Sequence, residues 1–379
     1  MADQSASTFN DSKKHYPILD GLRGVAAVIV VMFHLLETFT AGDNHKQIIN
    51  HGYMAVDFFF VLSGFVIAYA YDDRWSKMSI KYFFKRRLIR LHPMIVIGMI
   101  IGAITFYFQD SVVFPEIHAV PVWKMLLVML IGFTLVPVPP SLDIRGWQEM
   151  HPLNGPAWSL FFEYIANILY ALFIRRFSKT LLSILVIIAG IALIHLAVTS
   201  PNGDIIGGWS IEPHQLRIGF TRLLYPFFAG LLLLRICNPG SIKHAFIWCS
   251  ILLIIVLAIP RLGGTEYLWV NGLYDALCII IIFPLIVYIG ASGELKGNTY
   301  SKVNKFLGDI SYPLYIIHYP FIYMFMAWAT HHDATLQQSL PMALLVLTGS
   351  ILLAYACVKL YDVPVRKWLT RKFMKSTSA

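Results

Sequence analysis

Charge is scarce in this chain of 379 residues: Asp, Glu, Lys and Arg make up 13% of it, against roughly a quarter in soluble globular domains. With 57% hydrophobic residues and a mean hydropathy of +0.65, that shortage excludes a soluble enzyme. Cysteine is scarce too. Cys237, Cys249, Cys278 and Cys357 lie far apart in or beside apolar runs without a C-x-x-C pair, which excludes a disulfide framework and a zinc-ribbon site. They read as small buried hydrophobes. Strict apolar/polar alternation is absent, which argues against a membrane β-barrel, and so is the phosphate loop G-x-x-x-x-G-K-[ST]. There is no long polar insert, no low-complexity segment and no evident internal repeat.

What the chain has instead is a series of apolar runs, each long enough to cross a hydrocarbon core of about 30 Å as a helix. Candidate spans fall near 19–39, 52–71, 91–108, 122–138, 156–174, 180–199, 217–236, 244–260, 273–290, 306–329 and 340–361. The reading is an all-α, polytopic transmembrane bundle. The first run is too long for a signal-peptide core and stays as an anchor.

The formal net charge of +9 comes from 30 basic and 21 acidic residues, and membrane topology accounts for it without any nucleic-acid partner. Arg74, Lys77, Lys81, Lys85, Arg86, Arg87 and Arg90 crowd the segment 72–90, and Arg366, Lys367, Arg371, Lys372 and Lys375 crowd the C-terminus. The links around Arg175, Arg176 and Lys179, between Arg235 and Lys243, and between Lys296 and Lys305 are also basic, whereas 109–121, 200–216 and 330–339 contain no Lys or Arg. The basic segments are therefore placed in the cytoplasm, with both termini. Eleven crossings cannot satisfy this assignment. The segment 122–138, bounded by Pro121 and Pro137-Val138-Pro139-Pro140, is the one expected to be re-entrant or interfacial, leaving about ten crossings.

Ionisable groups at bilayer depth cost about 2.5 kcal/mol or more, so each requires a partner, a cavity or a function. In the first span Arg23 and His34 are eleven residues apart, about 1100° of helical rotation, and so share one face about 16 Å apart. Asp57 sits in the aromatic run of the second span and needs a cation or a donor, with His34 one available partner. Ser159, Glu163, Asn167 and Tyr170 form a polar stripe, which is either interhelical glue or the wall of a hydrated cavity; Ser311, Tyr315 and His318 repeat the pattern, with Asp309 near its inner end. Arg217, Arg222, Asp275 and His195 lie nearer span ends, where snorkelling explains them and no catalytic role is assigned. Arg87 and Arg90, one turn apart at the boundary, offer two guanidinium forks to a phosphate-rich ligand.

These strings together resemble acyltransferase family 3, membrane proteins that O-acylate saccharides. The matching pieces are LDGLRG with His34 downstream, VDFFFVLSGF at 56–65, KRRLIRLHP at 85–93, AWSLFFE at 157–163, SYPLYIIHYP at 311–320 and DVPVRKW at 362–368. They keep the family's order over nearly the whole chain, with Asp362 standing where the family often has Glu. The resemblance implies a family transmembrane domain over 17–368, a polar cytoplasmic tail at 1–16 and a basic one at 369–379. It also implies transfer of an acyl group, most often acetyl, from cytoplasmic acetyl-CoA to a hydroxyl of a saccharide or surface-glycan precursor, without a metal, in a bacterial inner membrane. In that scheme His34 is the general base or a transient acyl carrier, Asp57 or Glu163 orients it with Asp57 preferred, and Arg23, Arg87 and Arg90 hold the donor. Glu163, Ser159, Tyr315 and His318 are assigned to the acceptor, and Ser63 beside Gly64 to close packing. The partners are membrane lipid, acyl-CoA and a saccharide, with a homodimer left open. A proton-coupled transporter is the competing reading, since buried His, Asp, Glu and Arg also build relays. The acceptor's identity, the acyl length and the choice between direct transfer and an acyl-imidazole are not legible in one sequence.

Overall fold

The structure is a computed structural model describing residues 15–40, 43, 45–295 and 297–374, with the side chain of Asn298 left out. Residues 1–14 of the expected N-terminal tail and 375–379 of the expected C-terminal tail lie outside the described residues. The described chain folds into α1 (Pro17–Glu37), α2 (Ala55–Tyr71), α3 (Ile80–Thr105), α4 (Val122–Phe133), α5 (Ala157–Leu172), α6 (Lys179–Val198) and α7 (Pro213–Ile236). It continues with α8 (Ala245–Ala258), α9 (Leu268–Leu277), α10 (Phe283–Ala291), α11 (Asn298–Ile317), α12 (Tyr319–His331), α13 (Leu336–Cys357) and α14 (Val363–Phe373). Single π-turns at Cys278–Ile282 and Val358–Asp362 fuse α9 to α10 and α13 to α14. No β-strand occurs among the described residues, where the only β-contacts are two isolated bridges.

Among the described residues, seven helical stretches are long and apolar enough to cross a membrane: 17–37, 52–71, 80–109, 179–198, 213–236, 268–291 and 336–373. The protein is an integral membrane helical bundle. The twelve residues of α4 rise only about 18 Å, too short to span alone, and the chain turns sharply after it at Leu135, whose φ is +60°.

α1 is the central helix, packed against α11, α8, α10 and α2. Close backbone approach fixes two of the tightest helix pairs. A Cβ on Gly24 would collide with the Leu307 carbonyl of α11, and Cβ atoms on Gly64 of α2 and Gly230 of α7 would collide with the Phe227 and Val61 carbonyls respectively. The Ser63-Gly64 step thus belongs to a small-residue helix contact of the kind that replaces hydrophobic driving force in lipid.

α11 and α12 follow one another directly, with a break at His318. Pro320 in the first turn of α12 has no N–H to donate, and His318 Nδ1 lies 3.1 Å from the Leu314 carbonyl and 2.9 Å from the Tyr315 carbonyl, tying the broken turn together.

The basic links gather at one end of the bundle. Lys85 Nζ donates to the Phe373 carbonyl at 3.3 Å, Arg235 pairs with Asp72 at 2.7 Å, and Arg175 stacks on Trp75 at 4.1 Å. The opposite end carries the polar connections 134–156 and 199–212, tied together where Met150 N donates to the Trp209 carbonyl at 2.7 Å.

Candidate active site

Two cavities lie one behind the other along α1. The larger, of about 800 Å³, opens toward the basic end and is walled by Arg23 and Asp20 of α1, Ser63 of α2, Arg87 and Arg90 of α3, and Ser159 and Glu163 of α5. The smaller, of about 380 Å³, is walled by His34 and Glu37 at the far end of α1, by Tyr319 of α12 and Arg222 of α7, and by Trp147, Glu149, Trp158 and Trp209. Val56 and Tyr315 are the two residues common to both walls. They form a septum, held where the Tyr315 and Ser159 hydroxyls bond at 2.8 Å and the Phe59 ring packs edge-on against Tyr315.

Arg23 and His34 share a face of α1, as their spacing predicts, yet each serves a different cavity. In the larger one Arg87 Nη2 donates to Glu163 Oε1 at 2.8 Å, and the Ser63 hydroxyl donates to the same oxygen at 3.2 Å. Arg23 makes only a 3.3 Å contact with Asp20. Arg90 makes no hydrogen bond or ion pair among the described residues, and the buried Arg87 Nε has no partner. Three guanidinium groups facing one space with spare donors suit a ligand carrying several phosphates.

In the smaller cavity His34 Nδ1 lies 2.8 Å from Glu37 Oε2. With Nδ1–H donating to that carboxylate, Nε2 is left with a lone pair. The ring packs edge-on against Tyr319, with centroids 4.7 Å apart, and nearly parallel to His318 at 5.8 Å. His318 itself is buried and held by the helix break.

The expected Asp57–His34 pairing is not formed. Asp57 is fully buried, and both its oxygens are taken by Arg222, from Nε at 3.2 Å and Nη2 at 2.7 Å. Arg222 also donates to the carbonyls of Tyr53 at 2.8 Å and Gly207 at 3.2 Å. Snorkelling does not describe Arg222: α7 begins at Pro213, so this side chain starts about 13 Å inside the helix and is buried. Glu163, the other expected orienter, lies across the septum with Arg87. Ser159 lines the larger cavity, Tyr315 both, and His318 lies behind the smaller one against the rings of His34, Tyr315 and Tyr319.

Sequence reasoning missed Glu37 and Glu149. Glu37 carried a usable signal, its i+3 spacing from His34 on one helix. Glu149 carried none, because it comes from the irregular connection 134–156. There its carboxylate accepts from the Tyr323 hydroxyl at 2.7 and 2.8 Å, with Arg145 Nε at 3.5 Å. Burial disfavours its charge, while Arg145 and the Tyr323 hydroxyl support it; the balance raises its pKa to about 7. His151 nearby is pushed down to about 3 by burial alone.

Residues 16–359 match the family described as the acyltransferase domain. The chain belongs to that family. A Rhizobium radiobacter protein known as Protein 2 in picA locus is 33% identical over 165 residues, 42% of this chain and 82% of the relative. The O-acetyltransferase OatA of Staphylococcus aureus is 24% identical over 325 residues, covering 82% of this chain and 51% of the relative. The peptidoglycan O-acetyltransferase OatA of Listeria monocytogenes is 23% identical over 389 aligned positions, 94% of this chain and 56% of the relative. The chain thus spans about half the length of these two acetyltransferases. No solved structure matches it.

Proposed function

We propose that the protein is a membrane O-acyltransferase, most simply an O-acetyltransferase, that takes its acyl group from acyl-CoA in the larger cavity and delivers it to a saccharide hydroxyl in the smaller one. The observation that carries this reading is the double use of α1: one helix face presents Arg23 to a cavity it shares with Arg87 and Arg90 and the His34–Glu37 pair to an aromatic one, with Val56 and Tyr315 common to both walls. The basic end is taken as cytoplasmic, in a bacterial inner membrane with both termini inside, by the excess of Lys and Arg there. The relatives named as O-acetyltransferases support acetyl as the group moved.

In this scheme Arg90, Arg23 and the spare donor of Arg87 hold the phosphates, and the thioester end reaches past Tyr315 toward His34. His34 Nε2 removes the acceptor's hydroxyl proton as that oxygen attacks the thioester carbonyl; the C–S bond breaks, and the thiolate leaves and takes up a proton. In the two-step form Nε2 attacks first, the thiolate leaves and takes up a proton, and the acceptor oxygen then displaces the imidazole, which takes the hydroxyl proton as it leaves. Glu37 fixes the tautomer and supports the imidazolium in both, the part of the third member of a triad. Asp57 and Arg222 neutralise each other and pin the outer end of α2 to the connection holding Gly207. Glu163 acts on the donor side by positioning Arg87.

Purified protein in nanodiscs, supplied with acetyl-CoA and cell-envelope glycan, tests the reading. His34→Ala is expected to cut transfer by about 10²-fold or more, in line with loss of a general base. Transfer at the wild-type rate would falsify it.

A further inference from the structure

The smaller cavity is rich in groups that accept hydrogen bonds and poor in free cations. Two carboxylates reach it, Glu37 and Glu149. Glu37 is engaged by His34, so when that imidazole is neutral, as a base must be, the pair carries one negative charge. The Glu149 oxygens accept from the Tyr323 hydroxyl, Oε2 also pairs with Arg145 Nε at 3.5 Å, and further lone pairs are kept for a ligand.

Arg222 is the cation on this wall, and its charge is spent. Its fork closes on Asp57, and its remaining bonds run to the Tyr53 and Gly207 carbonyls, so no bidentate face is left for a second carboxylate. Arg145 stands behind the wall. Its guanidinium lies 3.6 Å from the Tyr323 ring centroid, it donates to the Gln109 side chain and the Pro152 carbonyl, and Glu149 is 3.5 Å away. Trp147, Trp158, Trp209 and Tyr319 supply flat apolar surfaces against which the C–H face of a ring can pack.

We infer that this cavity takes a pyranose ring bearing no negative charge, a neutral or amino sugar, and that Glu149 is the specificity-determining residue that rejects anionic sugars. The inference rests on the reading of this cavity as the acceptor site. A neutral sugar donates its hydroxyls to Glu37 and Glu149, and an amino sugar adds an ammonium to the same acceptors. A uronic acid or phosphosugar instead places a further anion beside two carboxylates in a confined space, with no free cation among the residues that line it. The groups facing Glu149 are Tyr323, Tyr319 and Arg145, with Asp143 further along its own segment and His34 and Glu37 on the cavity wall. At pH 8 its carboxylate is ionised.

The test uses the full chain in nanodiscs at pH 8, titrated with methyl glucoside, methyl glucosaminide and methyl glucuronide. Binding is read by quenching of tryptophan fluorescence, with acetyl transfer measured in parallel. The glucoside and glucosaminide are expected to bind at least about tenfold more tightly than the glucuronide, and Glu149→Gln to shrink that ratio to about threefold or less. Equal or tighter binding of the glucuronide to the wild-type protein overturns the inference, and that ratio decides even if the variant does not fold. Absence of quenching by any of the three, while glycan is still acetylated, also overturns it and leaves acyl transfer standing. Selective binding of neutral sugars with transfer unaffected by His34→Ala upholds the charge rule and removes the acyl-transfer reading instead.

Discussion

Two ion pairs divide the work at the scale of single residues. His34–Glu37 faces an open cavity, and Asp57–Arg222 is sealed against carbonyls. Glu37→Gln keeps the size of the side chain but removes the charge that supports an imidazolium. It is expected to lower kcat by about 10- to 100-fold with acetyl-CoA affinity unchanged, a split read by steady-state kinetics beside equilibrium binding. Asp57→Asn should act differently, by leaving a buried guanidinium unpaired and costing about 3–5 kcal/mol of stability, visible as loss of folded protein rather than slower chemistry. The first pair left a signal that the sequence reading passed over, an i+3 spacing on one helix. The second joins residues 165 apart, and no spacing rule reaches across that distance.

Glu149 also ties stability to pH. Its carboxyl titrates at about 7 in the fold against an ordinary value of 4.5, so the folded state holds this proton more tightly than the unfolded chain does. The resulting stabilisation is complete below about pH 4.5 and is lost as pH rises through about 7, at most about 3 kcal/mol in all. Thermal unfolding between pH 5 and 8 is expected to show a downward trend that Glu149→Gln flattens. A parallel pair of curves would contradict the assignment.

Where helices meet, the contacts carrying the site are backbone contacts. α2 brings Asp57 and Val56 to the site, and its register against α7 is set by Gly64 and Gly230 meeting the opposing carbonyls. Gly64→Val should separate the two helices and reduce the yield and thermal stability of folded protein far more than an exposed Gly349→Val, which has open space around it. The apolar runs placed most helices correctly, because a membrane helix must satisfy its own backbone and so announces itself by length and composition. They could not show that the run near 306–329 is two helices broken at His318, or that Tyr315 would stand between two cavities. Both depend on how α11 and α12 pack on α1. Tyr315→Ala is expected to join the cavities and raise acceptor-independent hydrolysis of the thioester, measured as free thiol released without glycan.

On the scale of the whole molecule, the distribution of charge is the organising fact. Basic links gather at one end, beside a cavity lined by both arginines and carboxylates; aromatics and the Glu37 and Glu149 carboxylates line the cavity beyond the septum. Sequence alone sorted the links by sign and placed Arg23 and His34 on one face. It could not show that this face passes through two chambers, since their walls are assembled from helices far apart in the chain. The central claim is that donor and acceptor are held separately and meet at the septum. It is tested most directly by measuring acetyl-CoA affinity and transfer rate side by side in Arg90→Ala and His34→Ala. A crossed pattern is expected: Arg90→Ala weakens donor binding by about tenfold and still supports transfer at saturating acetyl-CoA, and His34→Ala binds the donor normally but transfers at least about 10²-fold more slowly. Loss of donor affinity in His34→Ala, or an unchanged affinity in Arg90→Ala, would contradict it.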